Sequence, residues 1–259
     1  KENILGFTAD DIKKFFKHFY QPDRIIISFA GNLSHDQTVD LIGPNFESVK
    51  PGNSFPERIT PFEHSAVNLK HRDSEQVHIC LGTKGISIGD PRRFAFAILN
   101  TVLGGNMSSR LFQNLREQRG LAYSVYSFTS SYVDTGMTGA YAGVDPEKAH
   151  ESIELILKEM NQLKEVRIDK SELKDAKEYI KGNLFLASES IDNQMVRLAQ
   201  SEINFKKHIP LEKVVEKVER VTADDVLELT KALFQPEHIS LNLLGPTANK
   251  ESFKDILSF

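Results

Sequence analysis

Apolar residues recur three and four positions apart over Ile12, Phe15, Phe16 and Phe19, and the pattern stops at Gln21-Pro22. Thr8 followed by Asp10 and Asp11 supplies an N-cap and an acidic first turn, so a helix of about three turns is expected there. Ile25 to Ala30 then runs almost wholly apolar up to Gly31, the signature of a buried strand. Val39 and Ile42 mark another short helix. Further on, the period shortens to two: the stretches 66–71 and 75–83 alternate, and are expected to pair antiparallel around Arg72-Asp73-Ser74. Asp90-Pro91 opens a helix that continues through Phe94, Ile98 and Leu103. Strands are expected over 121–131 and 136–144. Helices are expected over 147–163, 170–185, 193–204, 211–220 and 224–233, and a last strand from Ile239 to Leu244. This order predicts an α+β fold: a mixed, mainly antiparallel sheet with helices packed on one face.

Part of this pattern occurs twice. Residues 8–31 align without a gap to residues 222–245, and nine of the 24 positions are identical, including Thr-Ala-Asp-Asp, Gln-Pro and the closing Gly. Caps and helix breakers alone require fewer matches, so the repeat reads as a duplicated module. On that reading residues 1–48 are the tail of a first module, 49–63 a Pro- and Gly-containing linker, and 64–259 the second module. The expectation that follows is a tandem-duplicated parent, with about 165 residues of the first module lying upstream.

Composition narrows the chemistry. Lys and Arg number 32 against 36 Asp and Glu, interspersed to a net charge of −4, which leaves no basic footprint for nucleic acid. No uncharged apolar run approaches the ~18 residues of a membrane span, so no membrane partner is expected. The single cysteine, Cys80, excludes an internal disulfide framework. It suits a reducing compartment, and a cytoplasmic location is the expectation. Cys80 itself reads as a small buried hydrophobe and not as half of a Cys-His dyad with His78.

Metal ligands are not grouped in any known pattern: HExxH and HxxEH are both missing from the sequence. His150 and Glu154 share a helix face but have no third ligand. His64, His71 and His78 are spaced by seven, which sends successive strand residues to opposite faces. No metal-binding residue is assigned to this chain.

The densest stretch is Leu103-Gly104-Gly105-Asn106-Met107-Ser108-Ser109-Arg110-Leu111-Phe112-Gln113-Asn114-Leu115-Arg116-Glu117-Gln118-Arg119-Gly120-Leu121-Ala122-Tyr123-Ser124-Val125. A Gly pair ends one helix, Ser108 and Ser109 offer N-cap hydroxyls to the next, and Gly120 can close it in a left-handed conformation. Arg116 and Tyr123 then stand at the helix end and the strand start. Spacing alone leaves two readings open: dipole complementation and strand filling, or a paired chemical role.

The whole string resembles the C-terminal-half signature of the pitrilysin/insulinase zinc peptidases, in their small processing-protease branch. The resemblance implies tandem α+β modules, with zinc in the complete protein held by an inverted HxxEH motif and a downstream Glu of the first module. It implies that the second module closes over a peptide substrate and donates an Arg and a Tyr. By motif position these are Arg116 and Tyr123 as catalytic residues, with Gly104, Gly105, Ser108 and Ser109 joining them in substrate binding. The approximate counterpart of HxxEH in the second module is Phe96-Ala97-Ile98-Leu99-Asn100, which offers neither His nor carboxylate.

The expectation is therefore the C-terminal, substrate-binding half of a zinc metalloendopeptidase that cleaves peptides or presequences, inactive by itself. Its partner would be the N-terminal module of the same protein, or a second chain carrying HxxEH, and a dimer is expected. The alternative is a non-catalytic companion subunit or an assembly relative of the same family.

Overall fold

A Thr-x-x-Asp capping box opens the same helix twice. Thr8 and Thr222 each accept from the backbone N–H three residues on, through Asp11 and Asp225, and those carboxylates reach back to the cap N–H. In the computed structural model, which describes residues 2–48, 57–61, 64–246, 253 and 255–257, the helices are α1 (Glu2–Gly6), α2 (Ala9–Phe19), α3 (His35–Phe46), α4 (Arg93–Leu103), α5 (Ala149–Glu165), α6 (Lys170–Ser188), α7 (Ile191–Phe205), α8 (Leu211–Arg220) and α9 (Ala223–Leu233). The strands are β1 (Val67–His71), β2 (Val77–Lys84), β3 (Ala122–Ser131), β4 (Gly136–Val144) and β5 (Ser240–Gly245). Residues 49–56 and 62–63 of the expected linker lie outside the described residues.

The chain divides into two units. One comprises residues 1–59 and 186–208; the other comprises 60–185 and 209–259.

The larger unit is built on a five-stranded mixed sheet in the order β1-β5-β2-β4-β3. β1 runs parallel to β5, and the remaining neighbours are antiparallel. The expected β1–β2 hairpin does not form. β5 lies between the two, pairing Leu69 with Leu243 on one edge and Ile79 with Leu243 on the other. The Leu-rich β5 thereby satisfies both of its hydrogen-bonding edges at the sheet interior, which a local hairpin would have denied it.

Burial on β2 alternates, with Val77, Ile79, Leu81 and Thr83 facing the helices and His78, Cys80, Gly82 and Lys84 partly exposed. The buried face packs on Ile98 and Leu99 of α4, Ile153, Ile156 and Met160 of α5, and Val226 and Leu229 of α9. Helices on one face of a mixed sheet are the architecture the patterning predicts. Cys80 and His78 share the other face, as period two dictates. His78 Nδ1 lies 2.8 Å from the Tyr141 hydroxyl, and burial pushes the half-buried Cys80 thiol up.

In the smaller unit α2 and α3 form as expected, α3 longer than its two apolar positions suggested. The expected strand Ile25–Ala30 does not: among the described residues it carries no ladder pairing. A strand is a pairing, and its composition cannot supply the partner. Ser28 Oγ donates to Met195 O of α7, and a groove of about 620 Å³ opens between residues 27–31, α3 and Leu198.

Candidate functional site

α4 ends where the Gly pair stands. Gly104 N–H donates to Asn100 O, and a Cβ on Gly104 would lie 2.3 Å from the backbone nitrogen of Ser127 on β3. That close approach is used: Ser127 N–H donates to Gly104 O at 3.1 Å, and its hydroxyl lies 2.9 and 2.8 Å from Asn100 O and Oδ1. A Cβ on Gly105 would meet Thr101 Cα at 2.9 Å. Gly104 thus lets α4 close on β3, and Gly105 lets the chain fold back on the last turn of α4.

An Asx turn at Asn106 leads into the next helix: its Oδ1 accepts from Ser108 N–H at 2.8 Å, and Gln113 N–H opens the helix by donating to Ser109 O. The buried Ser109 donates its hydroxyl back to Asn106 O instead of capping the helix as expected. Ser108 is exposed, Gly104 and Ser109 are buried, and Gly105 is intermediate. Asn106, Ser108 and Ser109 line a cavity of about 710 Å³ whose other wall carries Asp169, Glu172 and Asp175.

After one α-helical turn the chain widens into a π-helical stretch, Phe112–Glu117, closed by Gln118 N–H donating to Gln113 O. Such turns are rare and recur at functional sites. Gly120, at φ 60°, ends the segment in the left-handed conformation expected of it. β3 then begins with a bulge. Ala122 opposes Val144 and Ser124 opposes Gly143, which leaves Tyr123 as the extra residue, 79% exposed. A bulge re-aims a side chain and increases the local twist.

These two irregularities bring Arg116 and Tyr123 together. The Arg116 guanidinium carbon lies 5.0 Å from the centre of the Tyr123 ring and 4.9 Å from that of Phe112, within cation–π range of both. Glu117 is 3.9 Å from Arg116 Nε. The Tyr123 hydroxyl and the guanidinium N–H groups are donors on an exposed corner, suited to carbonyl oxygen.

Two carboxylates from other helices anchor the π-helical stretch. Arg110 pairs bidentately with Glu172 of α6, Nε to Oε1 at 2.8 Å and the second nitrogen to Oε2 at 2.7 Å. Asn114 Nδ2 donates to Glu159 Oε1 of α5 at 2.7 Å. Burial pushes the Glu159 carboxyl up, against the pull of Arg110 and of the Asn114 hydrogen bond. Hydrogen bonding to Glu172 raises Arg110 further above its ordinary value. Phe112, four residues before Arg116, was within reach of helical spacing. The pairings of Arg110 with Glu172 and of Asn114 with Glu159 span 62 and 45 residues and leave no local signal.

Zinc finds no seat in the counterpart segment. Phe96 and Leu99 of α4 are buried in the core, and Asn100 is engaged by Ser127. Among the described residues no group of three or more His, Cys, Asp or Glu is placed to hold a metal ion. No described helix is long and apolar enough to cross a membrane.

A family model described as "Peptidase M16 inactive domain" matches residues 6–180. A Bacillus subtilis protein named "Uncharacterized zinc protease YmxG" is 36% identical over 252 residues, 97% of this chain and 61% of that protein. A Streptomyces coelicolor protein, also named as an uncharacterized zinc protease, is 33% identical over 259 residues, 97% of this chain and 56% of its own length. The chain thus spans about three fifths of the relatives it matches. Among solved structures, a protease from Helicobacter pylori superposes with a TM-score of 0.84 at 22% identity, over 95% of this chain and 60% of that one. A peptidase M16 inactive domain from Pseudomonas fluorescens gives 0.81 at 20% identity, over 94% and 59%. At such identities the superpositions establish the shared fold.

Proposed function

Because the chain belongs to the M16 peptidase family, we propose that it forms the substrate-binding wall of a zinc metalloendopeptidase that acts on peptides. The observation that carries this reading is the contact of the Arg116 guanidinium with the Tyr123 ring at 5.0 Å, on a bulged, exposed strand start. A phenol hydroxyl and a guanidinium held side by side can donate hydrogen bonds to a peptide carbonyl oxygen. Where negative charge develops on that oxygen during hydrolysis, one such donor stabilises the transition state by ~3 kcal/mol. Ser108 lies exposed on the same connection, and Gly104, Gly105 and Ser109 shape the loop that presents it.

The relatives are named for zinc, and the described residues of this chain do not fit it. The metal's ligands are proposed to lie on an N-terminal module of the same protein, or on a second chain paired with this one in a dimer. The repeat supports the first arrangement, because residues 8–31 duplicate residues 222–245, which form a helix and an interior strand of the second module.

The test is peptide cleavage by the full-length gene product. The reading predicts activity abolished by a chelator and restored by zinc, with Arg116→Ala and Tyr123→Phe each lowering kcat/KM about 100-fold while the fold is retained. Chelator-sensitive cleavage indifferent to both substitutions would remove Arg116 and Tyr123 from the reading. A full-length product without HxxEH and without activity would favour the companion-subunit alternative.

A further inference from the structure

We infer that Glu159 is a positioning residue for Arg116, acting through Asn114 on the π-helical stretch; the inference deepens the proposed role of Arg116 and rests on it only for the kinetic readout.

A π-helical turn forgoes regular α-helical bonding and persists where its surroundings over-determine it. Here two side chains four residues apart are tied to different helices. Arg110 fixes the entry of the segment through Glu172, and Asn114 fixes its middle through Glu159. Leu111 and Leu115 are fully buried on the same inward face. Arg116 follows two residues after Asn114, on a turn whose width sets how far round the axis the guanidinium points. Closing that turn to regular α-helix would rotate Arg116 relative to the Asn114 anchor, and away from Tyr123.

Glu159 is 5% exposed and sits among the apolar residues of α5, where burial disfavours its charge and Arg110 favours it. These two effects oppose one another, so the buried charge is weak evidence of stabilisation. What a carboxylate provides there is a directional acceptor for the Asn114 amide, and with it the register of the wide turn. Phe112 completes the device from the other side, its ring 4.9 Å from the Arg116 guanidinium carbon.

The distinguishing experiment places the side-chain protons of Arg116 by NMR in the 259-residue chain, where the rings of Phe112 and Tyr123 shift them away from their random-coil positions. Glu159→Gln keeps an acceptor for Asn114 and should leave those shifts in place. Glu159→Leu removes the acceptor and should move them most of the way to random coil, while the amide shifts of the sheet stay in place. Asn114→Ala reads the same contact from the other partner, and is decisive should Glu159→Leu not fold.

In the full-length product, Glu159→Leu should then lower kcat/KM about tenfold, chiefly through kcat, with Glu159→Gln restoring it. Unchanged Arg116 shifts in Glu159→Leu or Asn114→Ala overturn the inference. Collapsed shifts with unchanged kinetics leave the positioning standing and overturn the proposed role of Arg116 instead.

Discussion

Residues 8–31 and 222–245 have the same local structure and opposite surroundings. The two cap threonines share φ −103° and ψ 164°, both helices end before Gln-Pro, and the closing glycines sit at φ 151° and 157°. Gln21 and Gln235 each donate a side-chain N–H to the carbonyl four residues back. Yet Ile12 and Phe15 are 64% and 57% exposed, while their counterparts Val226 and Leu229 are 1% and 0%. β5 (Ser240–Gly245) pairs on both edges, and Ile25 to Ala30 has no ladder partner among the described residues. Local sequence therefore suffices for the caps, the helix and the break. It does not suffice for the strand, which exists only where β1 and β2 flank it.

The difference makes matched substitutions informative. Phe234→Ala empties a fully buried site and should cost about 3–5 kcal/mol in urea unfolding of the chain. Tyr20→Ala, at the equivalent exposed position, should stay within about 0.5 kcal/mol, and a comparable loss would break the contrast. Next come the glycines. An alanine at either position is strained by its φ, but a Cβ on Gly245 would also meet Gln76 O and Val77 Cα at 2.8 Å, whereas one on Gly31 meets only the tip of Leu33 at 3.3 Å. Gly245→Ala should lower the unfolding midpoint by the equivalent of about 1–3 kcal/mol, and Gly31→Ala should lower it by less.

The smallest effect concerns pH. Hydrogen bonds from the Thr8 side chain and backbone hold the Asp11 carboxyl below its ordinary value. A carboxyl depressed in the folded state adds stability above its unfolded pKa and loses it as pH falls through the folded pKa. The first turn of α2 should accordingly fray below the usual carboxylate range, seen as loss of the Thr8 amide shift in an NMR titration. Asp11→Asn should flatten that titration.

α2 and α9 were legible in the sequence because each carries its own period and capping box, and α8 through its period alone. β3 and β4 were legible through the tight turn that joins them. The place of β5 was not legible, since Ser240–Gly245 pairs with residues more than 150 positions away. At the candidate site, Arg116 and Tyr123 stood out through the string around them. The π-helical widening and the bulge that join them did not, because both are single-residue departures from regular geometry with no compositional mark. The Asx turn at Asn106 was masked by two serines that fit an N-cap role.

We propose that residues 8–31 are the same structural unit as 222–245 and take up the same sheet neighbours in the full-length gene product. Backbone hydrogen exchange over residues 25–31 should then show amides protected to the level of 240–245 in that product, and fast exchange in the 259-residue chain alone. Equal, fast exchange over 25–31 in both proteins would contradict it.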